Sequence, residues 1–218
     1  MNFTKILFCI CITCSMLIGC GSIDYDKNLS NKNIDNIEKY NTGDNIDDGE
    51  DIEMDYYFNE PQNELESVEI NIFKSKRLLE LRGNGETIGM FKIALGGNPI
   101  GDKHKEGDSK TPIGNYYICT RNGQSQFHKF LGISYPNSED AQKGLKNNLI
   151  NETVYNSIKN ADINKQRPDW YTPLGGEVGI HGGGNKYDWT LGCIALTNED
   201  IDIIWRYAKL KTPVIIYE

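Results

Sequence analysis

Val68-Glu69-Ile70-Asn71-Ile72, Leu78-Leu79-Glu80-Leu81 and the run from Thr87 to Leu95 alternate apolar with polar residues, and Lys76-Arg77 and Gly83-Asn84-Gly85 separate them. Successive side chains of an extended chain point to opposite faces, so alternation interrupted by turn residues predicts strands joined as hairpins. Tyr116-Tyr117-Ile118-Cys119-Thr120 and Phe130 to Tyr135 continue the series, and Pro213-Val214-Ile215-Ile216-Tyr217 closes it. The expectation is a mainly β body over residues 67–218 with a few short helices.

Two helical stretches interrupt the strands. The first is expected from Asn137 to about Asn160, with Asn137 as N-cap and Val154 and Ile158 on one face. Its Asn and Lys content marks a surface excursion. The second follows Thr197, whose hydroxyl can cap while Asp200 answers three residues later and Ile201, Ile204 and Trp205 line one face.

Ahead of the body, residues 21–66 carry about 14 acids against 3 Lys, a composition that cannot bury enough apolar surface to fold. Residues 20–66 are therefore expected to form an acidic disordered tether, with a root-mean-square span on the order of 35 to 40 Å. Removing the tether's acidic excess and the lone Lys5 from the chain's net −8 leaves the body near +2. Neither a nucleic-acid patch nor a strongly acidic working surface is implied.

The first residues carry one cation, Lys5, then the apolar run Ile6 to Ile12, then Leu17-Ile18-Gly19-Cys20. This is the pattern of a secretory signal, too short for a lasting span. Its ending resembles a bacterial lipobox, which implies cleavage after Gly19, a signal peptide of residues 1–19 and a lipidated Cys20. An ordinary cleaved signal and an uncleaved anchor are the competing readings. Acyl chains contribute about 0.8 kcal/mol per buried methylene, so two or three of them hold a protein at a membrane without a spanning helix. The expected location is extracytoplasmic, anchored to the cell membrane and facing the wall. Of the six cysteines, Cys9, Cys11 and Cys14 would leave with the signal and Cys20 would carry lipid, so only Cys119 and Cys193 remain in the body. No disulfide framework is available. Cys119 reads as a buried strand residue.

Chemistry concentrates in Val178-Gly179-Ile180-His181-Gly182-Gly183-Gly184 and, after a turn, Trp189-Thr190-Leu191-Gly192-Cys193-Ile194-Ala195-Leu196. A thiol with a pKa of about 8.5 needs a neighbouring base to become nucleophilic near neutral pH, and an imidazole can supply it. His181 and Cys193 are the candidate pair. Gly182 to Gly184 could let the backbone approach a substrate and aim amides at a developing oxyanion, and Gly192 permits a tight turn that presents the sulfur, with the Cys193 and Gly192 amides as further candidate oxyanion donors. Thr190 could orient His181 or bond the substrate, though a backbone carbonyl would orient the ring equally well. Trp189 could stack on the substrate or plug the loop. Taken alone, a His among glycines is usually a satisfied loop residue and a lone Cys is usually packing.

The pattern is similar to the L,D-transpeptidase catalytic domain (YkuD-like family), whose signature is His-Gly, a short loop, Ser or Thr, any residue, then Gly-Cys-Ile. Gly101-Asp102-Lys103 with Gly107-Asp108-Ser109-Lys110-Thr111-Pro112-Ile113-Gly114-Asn115-Tyr116 resembles the family's second signature, and Phe127-His128-Lys129, Ser134-Tyr135-Pro136-Asn137 and Asp140 resemble one subgroup. The resemblance implies a β-sandwich or barrel-like domain in which Cys193 attacks a peptidoglycan tetrapeptide stem before its terminal D-alanine and forms a thioester, with His181 as proton acceptor and later donor. Transfer to an amine makes a crosslink or an exchange product; transfer to water hydrolyses. No metal or cofactor is needed for such chemistry. Two positions depart from the common signature: Leu191 stands where His precedes Gly-Cys, and Ala195 where Arg follows Gly-Cys-Ile. The second departure removes a bidentate carboxylate partner. This variant form resembles a subgroup that includes enzymes cutting crosslinks to peptidoglycan, so hydrolysis is an open alternative.

Other readings compete. A papain-like peptidase needs its Cys early and its His far downstream, the reverse of this order. A zinc site from His181, Cys193 and Asp188 lacks four-ligand spacing. A non-catalytic wall-binding lipoprotein of the same fold is a distinct class. Thr111-Pro112-Ile113-Gly114 reads as a turn with Asp108 and Lys110 as solvated charge, contact with substrate being the alternative, and His128 reads as structural. Oligomeric state and acceptor amine have no signal in the sequence.

Overall fold

The computed structural model describes residues 55–218. The signal, Cys20 and the tether up to residue 54 lie outside the described residues. The strands are β1 (Tyr57–Phe58), β2 (Val68–Phe73), β3 (Leu78–Gly83), β4 (Glu86–Lys92), β5 (Gly114–Ser125), β6 (His128–Ile133), β7 (Gly179–His181), β8 (Ile194–Ala195) and β9 (Pro213–Tyr217). They form one sheet in the order β1-β4-β3-β2-β9-β5-β6-β7-β8. Every alternating run in the sequence falls on one of these strands, with Thr87 to Leu95 and Phe130 to Tyr135 continuing past the ends of β4 and β6. Beyond the end of β4, Ala94 bridges back to Ala195 of β8 through two bonds of 2.8 and 2.9 Å. The sheet therefore curls until strands far apart in its order meet, which is the expected mainly β, barrel-like body.

Two features depart from the sequence reading. The ordered body starts before residue 67: β1 pairs with Gly89 and Met90 of β4, and Leu65 lies against Gly83. Tyr57 and Phe58 supply apolar and aromatic surface that the acids around them obscure, and Phe58 packs on Phe91 and Tyr207. The stretch read as one helix from Asn137 is two, α1 (Ser138–Lys146) and α2 (Glu152–Ile163). Asn147 caps the end of α1, Asn148 adopts φ 56°, and Asn151 accepts the Val154 N–H to start α2. Asparagine tolerates the left-handed region and caps helices with its short amide, so the Asn-rich centre breaks the helix. The reciprocal capping box forms at Asn137 and Asp140. At α3 (Asn198–Tyr207), Thr197 Oγ1 accepts from the Asp200 N–H at 3.1 Å.

The main core gathers Ile70, Ile72, Leu79 and Leu81 from one half of the sheet and Leu131, Ile180, Ile194, Ile201 and Ile204 from the other half and α3. Burying such a side chain contributes about 1.5 to 3 kcal/mol. This core fixes register at the future site: Ile180 and Ile194 point into it side by side in the parallel β7/β8 pair, so His181 and Ala195 point to the opposite face. A slip of one residue would exchange them. Cys193, two residues before Ala195, shares the His181 face.

Candidate functional site

His181 ends β7 and is buried, held by rings from two loops. Phe127, at the turn joining β5 to β6, stacks on its imidazole with centroids 4.6 Å apart, and Trp189 meets it edge-on at 5.6 Å. Phe127 arrives there because β6 pairs with β7, aligning Phe130 with His181. Trp189 is fixed by its Nε1–H, which donates to the Gly184 carbonyl at 3.0 Å. The His181 Nδ1 lies 2.6 Å from the Gly182 carbonyl. A carbonyl only accepts, so Nδ1 carries the hydrogen and Nε2 keeps a lone pair. Burial lowers the His181 pKa below its ordinary 6.5, partly offset by that carbonyl. The ring is thus a neutral base of fixed tautomer.

Cys193 precedes β8 and is half-buried. Its thiol makes a weak contact of 3.5 Å to the Glu177 carbonyl. Burial pushes its pKa up to about 11, against the opposing influence of the Gly179 N–H and the Lys103 ammonium. The resting pair is therefore thiol and neutral imidazole. His181 and Cys193 together line two cavities. One, of about 500 Å³, is walled by Asn122, Gln124, Phe130 and Trp170. The other, of about 420 Å³, is walled by Lys103, Glu106, Glu177, Trp189 and Leu191.

The glycine-rich loop serves packing more than the sequence suggests. The amides of Gly182, Gly183 and Gly184 already donate to the Lys129 carbonyl, Asn198 Oδ1 and the Leu196 carbonyl. They are not aimed at an oxyanion, because this loop lies across the start of α3. A Cβ on Gly182 would come within 2.5 Å of Asn198 Oδ1. The Gly192 N–H is likewise committed, donating to Thr190 Oγ1 at 3.1 Å. Of the donors considered from sequence, the Cys193 amide is left as the oxyanion candidate. Gly192 has φ 134°, and a Cβ there would lie 2.6 Å from the Lys110 carbonyl, so glycine lets the turn press against the 101–113 loop. Thr190 does not orient His181: its hydroxyl donates to the Cys193 carbonyl at 2.7 Å and holds the turn that carries the sulfur.

Asp108 is not solvated. Its carboxylate accepts from Lys103 Nζ and from the amides of His104, Lys105 and Lys110. These donors outweigh burial and hold its pKa down at about 2. Thr111 is buried and accepts the Gly96 N–H at 3.1 Å, tying the second motif to the strand end beside Thr190. Asp188, the remaining candidate in the zinc reading, is bound by Arg77 at 2.7 Å and by the Leu95 N–H at 2.8 Å, which anchors the loop. His128 pairs at the surface with Asp202 at 2.8 Å. Cys119 on β5 is a free thiol whose pKa burial raises to about 12. Sequence reasoning missed Lys103 and Phe127 as site components. Their motifs were visible, but the stacking of Phe127 on the imidazole and the placing of Lys103 in the Cys193 cavity arise only through folding.

Residues 67–216 match the YkuD family, described as the L,D-transpeptidase catalytic domain, and the chain belongs to that family. YafK of Escherichia coli (strain K12) is 28% identical over 147 residues, covering 64% of this chain and 46% of that protein. The chain thus spans less than half the length of the curated relatives it matches. Among solved structures, it is similar to Bd1075 of Bdellovibrio bacteriovorus, at 20% identity and a TM-score of 0.46 over 70% of this chain and 48% of that one. It is also similar to the helical cell shape determining protein Pgp2 (K307A mutant) of Campylobacter jejuni, at 22% identity and a TM-score of 0.47 over 71% and 49% of the two chains.

Proposed function

We propose that this chain is a peptidoglycan L,D-transpeptidase that acts on tetrapeptide stems through a Cys193 thioester, with His181 moving the proton. The observation that carries this reading is the His181–Cys193 pair on one sheet face, both lining two cavities, with Nδ1 tied to a carbonyl and Nε2 left as base.

In the proposed reaction, Sγ bonds to the scissile carbonyl carbon as its proton passes to Nε2, and the Cys193 amide faces the developing oxyanion. Collapse breaks the C–N bond, and the imidazolium returns the proton to the leaving amine. An acceptor amine then attacks the thioester carbonyl and gives its proton to Nε2. The amide forms, the C–S bond breaks and the proton returns to sulfur. Water in place of the amine yields hydrolysis, and this second reading is favoured by the variant motif with Leu191 and Ala195. Anchoring through a lipid on Cys20, with the acidic segment as spacer, would place the domain at the outer face of the cell membrane, within reach of the wall.

The test is intact-mass analysis after exposure to a carbapenem, which acylates nucleophilic thiols. A single adduct that is lost in Cys193→Ala is expected, and unchanged wild-type mass would defeat the reading. Incubation with purified tetrapeptide muropeptides then separates dimers and exchange products from trimmed tripeptides.

A further inference from the structure

Lys103 lies almost wholly out of solvent yet walls the cavity that contains Cys193. Its Nζ is 4.0 Å from the position a Cβ on Gly192 would take, next to the residue bearing the sulfur. Two of its three N–H groups are accounted for, by Asp108 Oδ1 at 2.8 Å and the Lys105 carbonyl at 3.0 Å. An ammonium has a third donor. Asp108 is also bonded by three backbone amides, so its charge is shared among four donors.

Resting on the function proposed above, we propose that Lys103 holds a substrate carboxylate beside the Cys193 sulfur, selecting peptides that end in a free carboxylate one residue beyond the attacked carbonyl. In such a peptide the carboxylate carbon lies within about 4 Å of the carbonyl carbon, from the lengths of the intervening C–N, N–Cα and Cα–C bonds. A partner for it must stand in the nucleophile's own cavity, as Lys103 does. The position that carries Arg in the common signature offers no such partner here: Ala195 is fully buried, and its backbone is committed to Ala94. The cation in this cavity is instead on the 101–113 loop. The carboxylates of Glu106 and Glu177 stand at the exposed rim of the same cavity, where water screens them, whereas the buried ammonium acts in a lower dielectric. The charges are layered with the positive one deepest, an order that draws a carboxylate inward.

Lys103 also braces its loop through Asp108, so the experiment must separate bracing from recognition. Cys193 alkylation is followed by peptide mass mapping with iodoacetamide, which is neutral, and iodoacetate, which carries a carboxylate. The proteins compared are the wild type, Lys103→Met, and Lys103→Met combined with Asp108→Asn, which removes the carboxylate left unpaired. The iodoacetate-to-iodoacetamide rate ratio is expected to fall about tenfold or more in both variants, the scale of one hydrogen bond to a charged group. Parallel changes with both reagents, leaving the ratio at its wild-type value, would mean bracing alone and overturn the proposal. In turnover, the wild type should prefer a tetrapeptide acid over its C-terminal amide by about tenfold or more in kcat/KM, and Lys103→Met should treat the two alike. A preference that survives in the variant overturns the proposal while leaving the transpeptidase reading intact. Failure of either reagent to label wild-type Cys193 would sink both.

Discussion

Cys119 and Cys193 are both free thiols, both half-buried and both pushed to high pKa by burial, to about 12 and about 11. Burial alone does not distinguish them. Cys119 sits on β5 with no imidazole set against it, whereas Cys193 shares a sheet face and two cavities with a neutral His181 and lies near the Lys103 ammonium. A candidate nucleophile is thus set apart by what can take its proton and what can reach it, and depth only sets the barrier that such groups would lower. The same contrast recurs between two buried carboxylates. Asp108 has four donors and falls to about 2, while Asp140 accepts from the Asn137 amide and the Tyr116 hydroxyl, yet burial dominates and raises it to about 7.

The largest effect should come from exchanging the two thiols' fates. Cys193→Ala should abolish acylation by a carbapenem, and Cys119→Ala should leave its rate within about twofold, since a half-buried Cys acts as a small apolar residue. Stopped-flow acylation of the two variants decides it; equal losses would erase the distinction. His181→Ala should lower the acylation rate by about 10² to 10⁴, the usual range for a positioned base. Because burial lowers the His181 pKa, the wild-type acid limb should fall below pH 6.5, and the variant should lack it. A limb above pH 6.5 would mean a charged resting pair.

The carboxylates sharpen the comparison through stability, with opposite signs. Asp140 binds its proton more tightly folded than unfolded, so wild-type stability should rise by about 2 kcal/mol between pH 7 and pH 5, and Asp140→Asn should flatten that slope. Asp108 has a depressed folded pKa. Its contribution, about 2 kcal/mol, is present above pH 4 and disappears as pH falls toward 2, so Asp108→Asn should converge with wild type in acid. Urea melts across pH measure both, and slopes of the same sign would refute the contrast. The smallest effect is expected for Thr190→Val, which removes the hydroxyl that bonds the Cys193 carbonyl and the Gly192 amide. About 1 kcal/mol of stability and a few-fold loss of acylation should follow, read from melts and single-turnover rates. A loss as large as that of His181→Ala would instead give Thr190 a direct part in the chemistry.

The body's strands were legible because alternation is a local property: each run from Val68 to Tyr217 announces its faces whatever pairs with it. The cap at Asn137 and the start of α3 at Thr197 were legible for the same reason. The His181 and Cys193 candidates and the family were legible in their motifs. Local pattern was less informative where neighbours in space decide the outcome. The Asn147 to Asn151 break was hidden inside a helical composition, and β1 inside an acidic one, because Tyr57 and Phe58 become strand only when β4 offers an edge.

Sequence by itself determined which residues are the candidates for chemistry and which stretches extend, since side-chain type and periodicity are written along the chain. Tertiary structure alone decided which donors were already taken. The amides of Gly182, Gly183 and Gly184 all exist in the sequence, but their partners Lys129, Asn198 and Leu196 come from β6, from α3 and from the segment after β8. It also decided that Lys103 shares a cavity with Cys193, because electrostatics depends on distance through space, and only the curled sheet brings residues so far apart in the chain into one cavity.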